Sequence, residues 1–357
     1  MVARYDIGFD FGNGDTSAVI SSPAGGNLQW LTIPSFVGRG SLAELVRFRG
    51  MTTHLLHPSD ALKADEYVLH YGGSECFVGQ LALTQGQLAT SACGDSSRYW
   101  RRHALQMLLT VAGVLIPEPV FELNLVTGIP IETYQKATRS HVTRMLEGEH
   151  AYVLNGEERR AMVKVAAVIM EGAGALIAYG CNDAIPQAAL DIGSRTTDLY
   201  TAEGQVPMTP FCKGTPLGVE LAADSLSQTI EAHYRRALTL QERRSLLHAH
   251  VGSMPYPSIF VDGHLIEQAK LQYWIEEALR HVEQEIATFA AQCWQSNEQG
   301  RVAANLAQVL LIGGGAYYFY KELVSRIPHL TVPPHPELGN VLGYRALAEQ
   351  LRVQEDF

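Results

Sequence analysis

The amino-acid sequence predicts an α/β protein with two similar domains. Segments with the periodicity of strands alternate with segments that have the periodicity of helices. A three-stranded meander at the N-terminus returns about half-way along the chain. The length of 357 residues, 46% of them hydrophobic, is sufficient for two domains that each have a core.

The first meander begins with residues 5–11, where hydrophobic side chains occupy every second position, as in a half-buried strand. The polar turn 12–15 ends this strand. The segment "TSAVISS" predicts a second strand, and "LQWLTIPSFVG" predicts a third strand that Pro34 ends. The glycine pair at 25–26 predicts the hairpin turn between them.

The second meander, "AALDIGSRTTDLYTAEGQVPMTPFC" at 188–212, repeats the order of strand, polar turn, strand, turn and strand. When Asp10 is aligned with Asp191, Gly12 aligns with Gly193 and Thr16 aligns with Thr197. A repeat spaced by roughly half the chain predicts two similar domains that face each other.

Helices and further strands lie between and after the meanders. Between them, the pattern predicts a helix in "SSRYWRRHALQMLLTVAGVL", a strand in "FELNLVTGIPIE" and two strands in "AYVLNGEERRAMVKVAAVIME". After them come two long helices, "LGVELAADSLSQTIEAHYRRA" and "EQAKLQYWIEEALRHVEQEIATFAAQCW". The segment "LAQVLLIGGGAYYFYKELVSRI" predicts a strand, a glycine turn and a helix, and "VLGYRALAEQLRV" is the last predicted helix.

Charge and cysteine content limit the function classes. A formal net charge of -10 argues against direct, sequence-independent binding to nucleic acid, which requires an excess of Lys and Arg. Five widely spaced cysteines without metal-ligand spacing predict reduced thiols and a cytoplasmic location. The N-terminus does not resemble a signal peptide, and neither apolar stretch, 104–117 or 161–180, is typical of a membrane helix.

Asp10 and Asp191 each lie near the end of a strand that is followed by a glycine-containing turn. Two such carboxylates, one from each domain across a cleft, are expected to hold a hydrated Mg²⁺. The turns "GNGDT" and "GSRTT" would offer backbone N–H groups and hydroxyls to phosphate oxygens. Each aspartate alone is equally typical of a turn cap, but the two loops together favour a phosphate site.

Two further features allow more than one interpretation. The glycine run in "LLIGGGA", residues 310–316, lets the backbone approach a flat ligand or a phosphate, although such turns also serve packing. The sequence has no Walker motif. Glu171, between an apolar strand and the small residues "GAGALIAYG", is either a group that activates water or a glutamate at a helix N-terminus.

The ordered set Asp-x-Gly, Thr-Gly-x-Pro, Glu after a strand, Asp-x-Gly-x-x-Thr and Gly-Gly-Gly-Ala resembles the actin superfamily of ATPases. Over nearly the whole chain, the sequence is most similar to plasmid-segregation actins of the ParM/StbA type. The segments that carry the resemblance are "DFGNGDTSAVI", "VTGIPIETYQ", "MEGAGALIAYG", "LDIGSRTTDLYT", "IGGGA" and "NVLGYRALAE".

The resemblance implies an actin-like fold, with a duplicated mixed sheet flanked by helices around a nucleotide cleft. It implies a first domain at 1–181, with an insertion at about 34–90, that is completed by the helix at 338–357. The second domain would span 182–337, with a small subdomain at about 213–275.

The resemblance also implies roles for individual residues. Asp10 and Asp191 would hold Mg²⁺ through water, and Glu171 would orient the attacking water. The residues assigned to the phosphates are Gly12, Asn13, Gly14, Asp15, Thr16, Gly193, Ser194, Arg195, Thr196 and Thr197. Gly313, Gly314 and Gly315 would contact the adenosine. Arg195 departs from the small residues usual in this loop, and either contacts the γ-phosphate or points outward.

The implied function is an ATPase that polymerises head to tail with ATP, or with GTP, and disassembles after hydrolysis. Its filament would segregate plasmids through a DNA-binding adaptor on a centromere-like site, without direct contact to DNA or membrane. The alternative is a kinase of the same fold that transfers the γ-phosphate to a sugar or acid. Apart from Asp10, Asp191 and Glu171, the sequence offers no evident base for such an acceptor.

Overall fold

The computed structural model describes residues 2–21, 26–50, 62–91, 102–180, 184–252, 255–294, 302–327 and 329–355. The chain divides into two compact units: unit 1 is Met1–Ala178 with Asn340–Phe357, and unit 2 is Tyr179–Gly339. The predicted domain boundary at 181–182, Gly25 of the predicted hairpin turn and the first residues of the helix predicted from 96 onward lie outside the described residues, as do Cys93 and Cys181.

Unit 1 contains a mixed sheet with the strand order β3-β2-β1-β8-β10-β9-β5-β6-β4-β7. The strands are β1 (Ala3–Phe11), β2 (Asp15–Ile20), β3 (Gln29–Pro34), β4 (Phe36–Arg39), β5 (Tyr67–Tyr71), β6 (Ser74–Val78), β7 (Gln87–Ser91), β8 (Val120–Ile129), β9 (Gly148–Leu154) and β10 (Glu157–Met170). The first three form the predicted antiparallel meander, and β1, β8 and β10 run parallel.

The helices of unit 1 that precede residue 180 are α1 (Leu42–Gly50), α2 (Gln80–Gln85), α3 (His103–Leu115), α4 (Lys136–Leu146) and α5 (Ala173–Tyr179). The buried side chains of α3 pack against those of β1 in one hydrophobic core, which includes Phe9 and Met107. Within the described residues, no helix is both long enough and apolar enough to cross a membrane. The two apolar stretches of the sequence form α3 and the β10–α5 segment.

Unit 2 repeats the central strand arrangement of unit 1 in a smaller sheet, ordered β13-β12-β11-β17-β18, with β14 also paired to β12. Its strands are β11 (Pro186–Ile192), β12 (Thr197–Glu203), β13 (Val206–Pro207), β14 (Lys213–Thr215), the separate pair β15 (Phe260–Val261) and β16 (His264–Leu265), β17 (Gln308–Ile312) and β18 (Leu330–Thr331). Its helices are α6 (Val219–Tyr234), α7 (Leu240–Gly252), α8 (Gln268–Cys293) and α9 (Ala316–Arg326). As in unit 1, an antiparallel meander adjoins a parallel strand.

The last helix, α10 (Gly339–Glu355), packs on unit 1 at positions where only glycine fits. An added Cβ would lie 2.1 Å from the Val341 carbonyl oxygen at Gly8, 1.9 Å from the Tyr344 hydroxyl at Gly128 and 1.8 Å from the Gly174 carbonyl oxygen at Gly343. The absence of these side chains lets α10 lie directly on β1, β8 and α5.

Asp6 in β1 has structural partners on β8 and α10. Asp6 is only 5% exposed, and its carboxylate accepts hydrogen bonds from Arg352 Nε at 3.0 and 3.1 Å and from Asn124 Nδ2 at 3.0 Å. Asn124 Nδ2 also donates to the Ala348 carbonyl oxygen at 2.7 Å. Asp6 therefore joins β1 and β8 to α10.

Gly343→Ala is expected to lower the free energy of unfolding by about 1–3 kcal/mol, because a methyl group would collide with backbone. Helix propensity alone predicts a higher free energy of unfolding for this variant, since alanine is favoured over glycine within a helix by about 1 kcal/mol. Thermal unfolding monitored by circular dichroism measures the effect. Gly314→Ala is the matched control, because nothing lies within 4 Å of its added Cβ. A melting temperature of Gly343→Ala at or above that of the wild type would contradict the packing argument.

Candidate functional site

The first candidate loop connects β1 to β2. Asp10 lies one residue before the end of β1, is half-buried, and stands opposite Ser17 in the antiparallel register. Because strand side chains alternate, Asp10 is on the same face of β1 as Asp6. A Cβ on Gly12 would lie 2.4 Å from the Asp15 carbonyl oxygen, so this tight turn requires glycine at that position.

Ser35, between β3 and β4, holds this loop and was not predicted from the sequence. Its N–H donates to the Gly14 carbonyl oxygen at 2.9 Å, and its hydroxyl donates to the Gly12 carbonyl oxygen at 2.7 Å. Since the single hydroxyl proton of Ser35 is then used, Thr16 donates to Ser35 Oγ at 2.7 Å. Thr16 is fully buried, so its hydroxyl serves to position the loop.

The second candidate loop connects β11 to β12 in unit 2. Asp191 is 9% exposed and stands directly opposite Asp198, which is 1% exposed. The Gly193 N–H donates to the Thr196 carbonyl oxygen at 2.8 Å and closes the turn. Thr197 uses its hydroxyl proton as Thr16 does, donating to the Leu217 carbonyl oxygen at 2.8 Å. Asp198 was not predicted as a site residue. A turn closed by a hydrogen bond between residues 193 and 196 would have predicted that it pairs with Asp191 across the two strands.

The first residues of α6 donate hydrogen bonds to backbone carbonyl groups of this second loop. The N–H groups of Val219 and Glu220 donate to the Gly193 and Ser194 carbonyl oxygens at 3.2 and 2.7 Å. In a trans peptide the N–H points opposite to the C=O, so the N–H groups of Ser194 and Arg195 point away from α6. The Arg195 guanidinium forms an ion pair with the Glu220 carboxylate, which holds it against the first turn of α6.

The glycine run 313–315 packs against the end of β11. Gly315 N–H donates to the Ile192 carbonyl oxygen at 2.8 Å. Gly313 has a φ of +80°, and a Cβ there would lie 2.5 Å from Asp191 Oδ1. Gly314 is exposed, with nothing within 4 Å of an added Cβ. Unit 2 thus brings together Asp191 and the glycine run, which the sequence predicted separately.

Glu171 follows β10 directly and is 6% exposed. Its N–H donates to the Ile129 carbonyl oxygen at 3.0 Å. Gly172 then takes a left-handed conformation, with a φ of +87°, and donates its N–H to Asn340 Oδ1 at 2.9 Å. The backbone at Glu171 and Gly172 is therefore held by one hydrogen bond to β8 and one to a side chain of α10.

Glu171 and the first loop lie at the same edge of the unit 1 sheet. Phe9 pairs with Thr127, which in turn pairs with Val168 on the parallel strand β10. Glu171 is thus two strands from the β1–β2 loop, or about 10 Å by strand spacing. Asp191 and Gly313 likewise lie at the carboxyl ends of β11 and β17. In open α/β sheets, ligands bind at this edge.

The arrangement fits a phosphate ligand with Mg²⁺. Among the described residues, no three His, Cys, Asp or Glu side chains cluster as metal ligands. Mg²⁺ does not require such a cluster, because it keeps several waters and is usually bound through one or two carboxylates and substrate phosphates. The close approach of Gly313 to Asp191 leaves no room for a side chain at position 313 beside that carboxylate.

Comparisons with known proteins point to one fold. Residues 8–174 match the family model for the N-terminal domain of actin-like proteins. No curated protein matches the sequence. The chain is similar to a ParM in a 15-stranded filament from Clostridium botulinum, with 19% identity, 98% of this chain and 99% of that chain covered, and a TM-score of 0.73.

Two other solved structures have the same fold. An archaeal actin homologue, Ta0583, in complex with ADP is 18% identical, with 96% of this chain and 99% of that chain covered and a TM-score of 0.70. A Bacillus thuringiensis ParM with AMPPNP is 14% identical, with 99% of each chain covered and a TM-score of 0.64.

Ser35→Ala is expected to lower the free energy of unfolding by about 1–3 kcal/mol, because two hydrogen bonds of a buried hydroxyl are lost. Chemical denaturation measures this change. Ser74→Ala removes a hydroxyl that donates to the Tyr71 carbonyl oxygen in an exposed turn, and serves as the control with an expected change below about 0.5 kcal/mol. Equal stability of the two variants would contradict the role given to Ser35.

Proposed function

We propose that this chain, which has the actin-like fold found in the ParM proteins, is an ATPase that polymerises into filaments when ATP is bound. The observation that carries the proposal is the duplicated loop. In each unit, an aspartate near the end of a buried strand precedes a glycine turn, and a buried threonine fixes that turn from behind. The ADP and AMPPNP in structures of the same fold support a nucleotide as the ligand.

Asp10 and Asp191 would hold Mg²⁺ through water molecules. When bound, Mg²⁺ neutralises negative charge on the β- and γ-phosphates. The backbone of 12–15 in unit 1 and of 193–196 in unit 2 would bind the phosphate oxygens, and 313–315 would contact the adenosine. Thr16 and Thr197 serve the same site by holding their loops, since their hydroxyl protons are used within the protein.

Glu171 would orient the water that attacks the γ-phosphate. Its burial and its rigid backbone favour this role over that of a solvated charge at the start of α5. A carboxylate at this sheet edge accepts a hydrogen bond from water and fixes the direction of the oxygen lone pair. Arg195 is neutralised by Glu220, so it adds little net charge at the phosphates.

The proposed filament forms by head-to-tail contact between subunits, because a heterologous contact that does not close produces a filament. Hydrolysis would weaken that contact. The filament structure of a ParM with this fold supports assembly. With a net charge of -10, the chain would reach DNA through a DNA-binding adaptor on a centromere-like site, and plasmid segregation in the cytoplasm is the proposed process.

Release of phosphate from Mg-ATP, measured without any added acceptor, tests the enzymatic proposal. An ATPase that drives its own assembly turns over under these conditions, with water as the acceptor. A small-molecule kinase of the same fold would release phosphate only at a background rate until a sugar or acid is added. Replacing ATP with GTP in the same assay decides the base preference.

Glu171→Gln keeps the size of the side chain and removes its charge. We expect phosphate release to fall about 10²–10⁴-fold, the range for a lost general base. Binding of ATP and assembly should be retained, so that filaments persist after assembly.

The control for this variant is Glu158→Gln, a change of the same charge at an exposed position of the same strand, β10. It should hydrolyse ATP as the wild type does. Normal phosphate release from Glu171→Gln would contradict the catalytic role of Glu171.

Asp10→Asn and Asp191→Asn are each expected to reduce Mg-dependent ATP turnover about 100-fold or more, because each removes a negative charge that would hold the hydrated Mg²⁺. Titration of turnover with MgCl₂ measures the effect. Asp6→Asn is the contrast on the same face of β1: it should lower the melting temperature through the loss of its Arg352 pair but leave the Mg²⁺ dependence of the folded protein unchanged. An unaltered Mg²⁺ titration of Asp10→Asn would refute the metal assignment.

A further inference from the structure

The exposed face of α4 forms a shallow basic cavity in unit 1, outside the loops described above. The cavity has a volume of about 480 Å³ and is called the α4 pocket. Its lining residues are Lys136, Arg139, Ser140, Thr143, Arg144 and Val168. Three cations and two hydroxyl groups therefore face one cavity.

The cations of the α4 pocket are available to a ligand. Lys136, Arg139 and Arg144 are exposed, and none of them forms an ion pair within the part of the chain that the structure describes. The Arg139 guanidinium lies 4.9 Å from the centre of the Tyr134 ring, which limits its freedom. The nearest acidic residue along the chain, Glu147, lies beyond the end of α4 and accepts a hydrogen bond from the Val165 N–H at 3.4 Å.

The spacing of the cations determines the shape of the ligand. Lys136 and Arg144 are eight residues apart, or about 12 Å along the helix axis, which is too far for one phosphate group to contact both. An extended peptide covers this length in about four residues, and its alternate side chains point to one side. We propose that the α4 pocket binds an acidic segment of a partner protein, with carboxylates at alternate positions.

A nucleic acid fits the α4 pocket less well than an acidic peptide. Contact with three phosphates provides little affinity at physiological salt, where binding falls steeply with ionic strength. The lining residues include no aromatic side chain on which a base could stack. The net charge of -10 also repels a long polyanion more strongly than it repels a short acidic peptide.

The test uses the nucleotide-free full chain and a fluorescent peptide in which glutamate alternates with serine over seven residues. Fluorescence anisotropy at low salt measures its Kd, and a peptide with glutamine in place of glutamate is the ligand control. The triple variant Lys136→Gln, Arg139→Gln, Arg144→Gln should weaken binding about tenfold to a hundredfold, because three exposed ion pairs are lost. The matched control, Lys270→Gln, Arg280→Gln, Lys321→Gln, changes the net charge equally in unit 2 and should bind as the wild type does.

Several results would overturn the proposal. These are equal binding of the glutamate and glutamine peptides, equal weakening in the two triple variants, or tighter binding of duplex DNA than of the acidic peptide. Loss of ATP-induced pelleting in the α4 variant alone would identify a second copy of this chain as the occupant and would also overturn it. Phosphate release without peptide does not depend on this pocket, so a failure here is distinguishable from a failure of the ATPase proposal.

Discussion

The contact between α10 and the rest of unit 1 is the constraint on which the candidate site of that unit depends. Backbone meets backbone where Gly343 lies on the Gly174 carbonyl group, and Gly8 lies under Val341. This approach brings Asn340 within 2.9 Å of the Gly172 N–H, directly after Glu171. Two segments separated by more than 160 residues of sequence thus hold the backbone at one glutamate. Any side chain at these glycines would move α10, and Glu171 with it.

The two candidate loops, β1–β2 and β11–β12, are built in the same way from different partners. Each has an aspartate near a strand end, and each has a buried threonine in the following strand whose hydroxyl proton goes to a structural partner. In unit 1 that partner is Ser35, and in unit 2 it is the Leu217 carbonyl oxygen. Rigid loops suit a site that must bind charged oxygens without reorganisation, because preorganised dipoles do not have to be turned when the ligand arrives. The repeat in the sequence therefore corresponds to a repeat in the structure: in each unit a buried threonine holds the loop through a hydrogen bond.

Local patterns predicted the meanders, the end of β3 at Pro34 and the strand-end positions of Asp10 and Asp191, because period-two alternation and turn residues are short-range signals. The actin-like fold was expected from the order of the motifs, and the structural comparisons confirm it. The partners of the loops were not predictable. Ser35 lies 23 residues from Gly12, and its hydrogen bonds to the loop do not follow from residue type. The structural role of Asp6 could not be predicted either, because its partners Asn124 and Arg352 lie more than 100 residues away along the chain.

Control of filament assembly by nucleotide is the core of the proposed function. Ultracentrifugal sedimentation of the pure protein with Mg-ATP, with Mg-ADP and without nucleotide, followed by negative-stain electron microscopy of the pellets, tests it directly. We expect filaments in the pellet with Mg-ATP and protein in the supernatant in the other two conditions. Protein that binds and hydrolyses ATP yet stays in the supernatant at every concentration would contradict the claim, and so would pelleting that is equal in all three conditions.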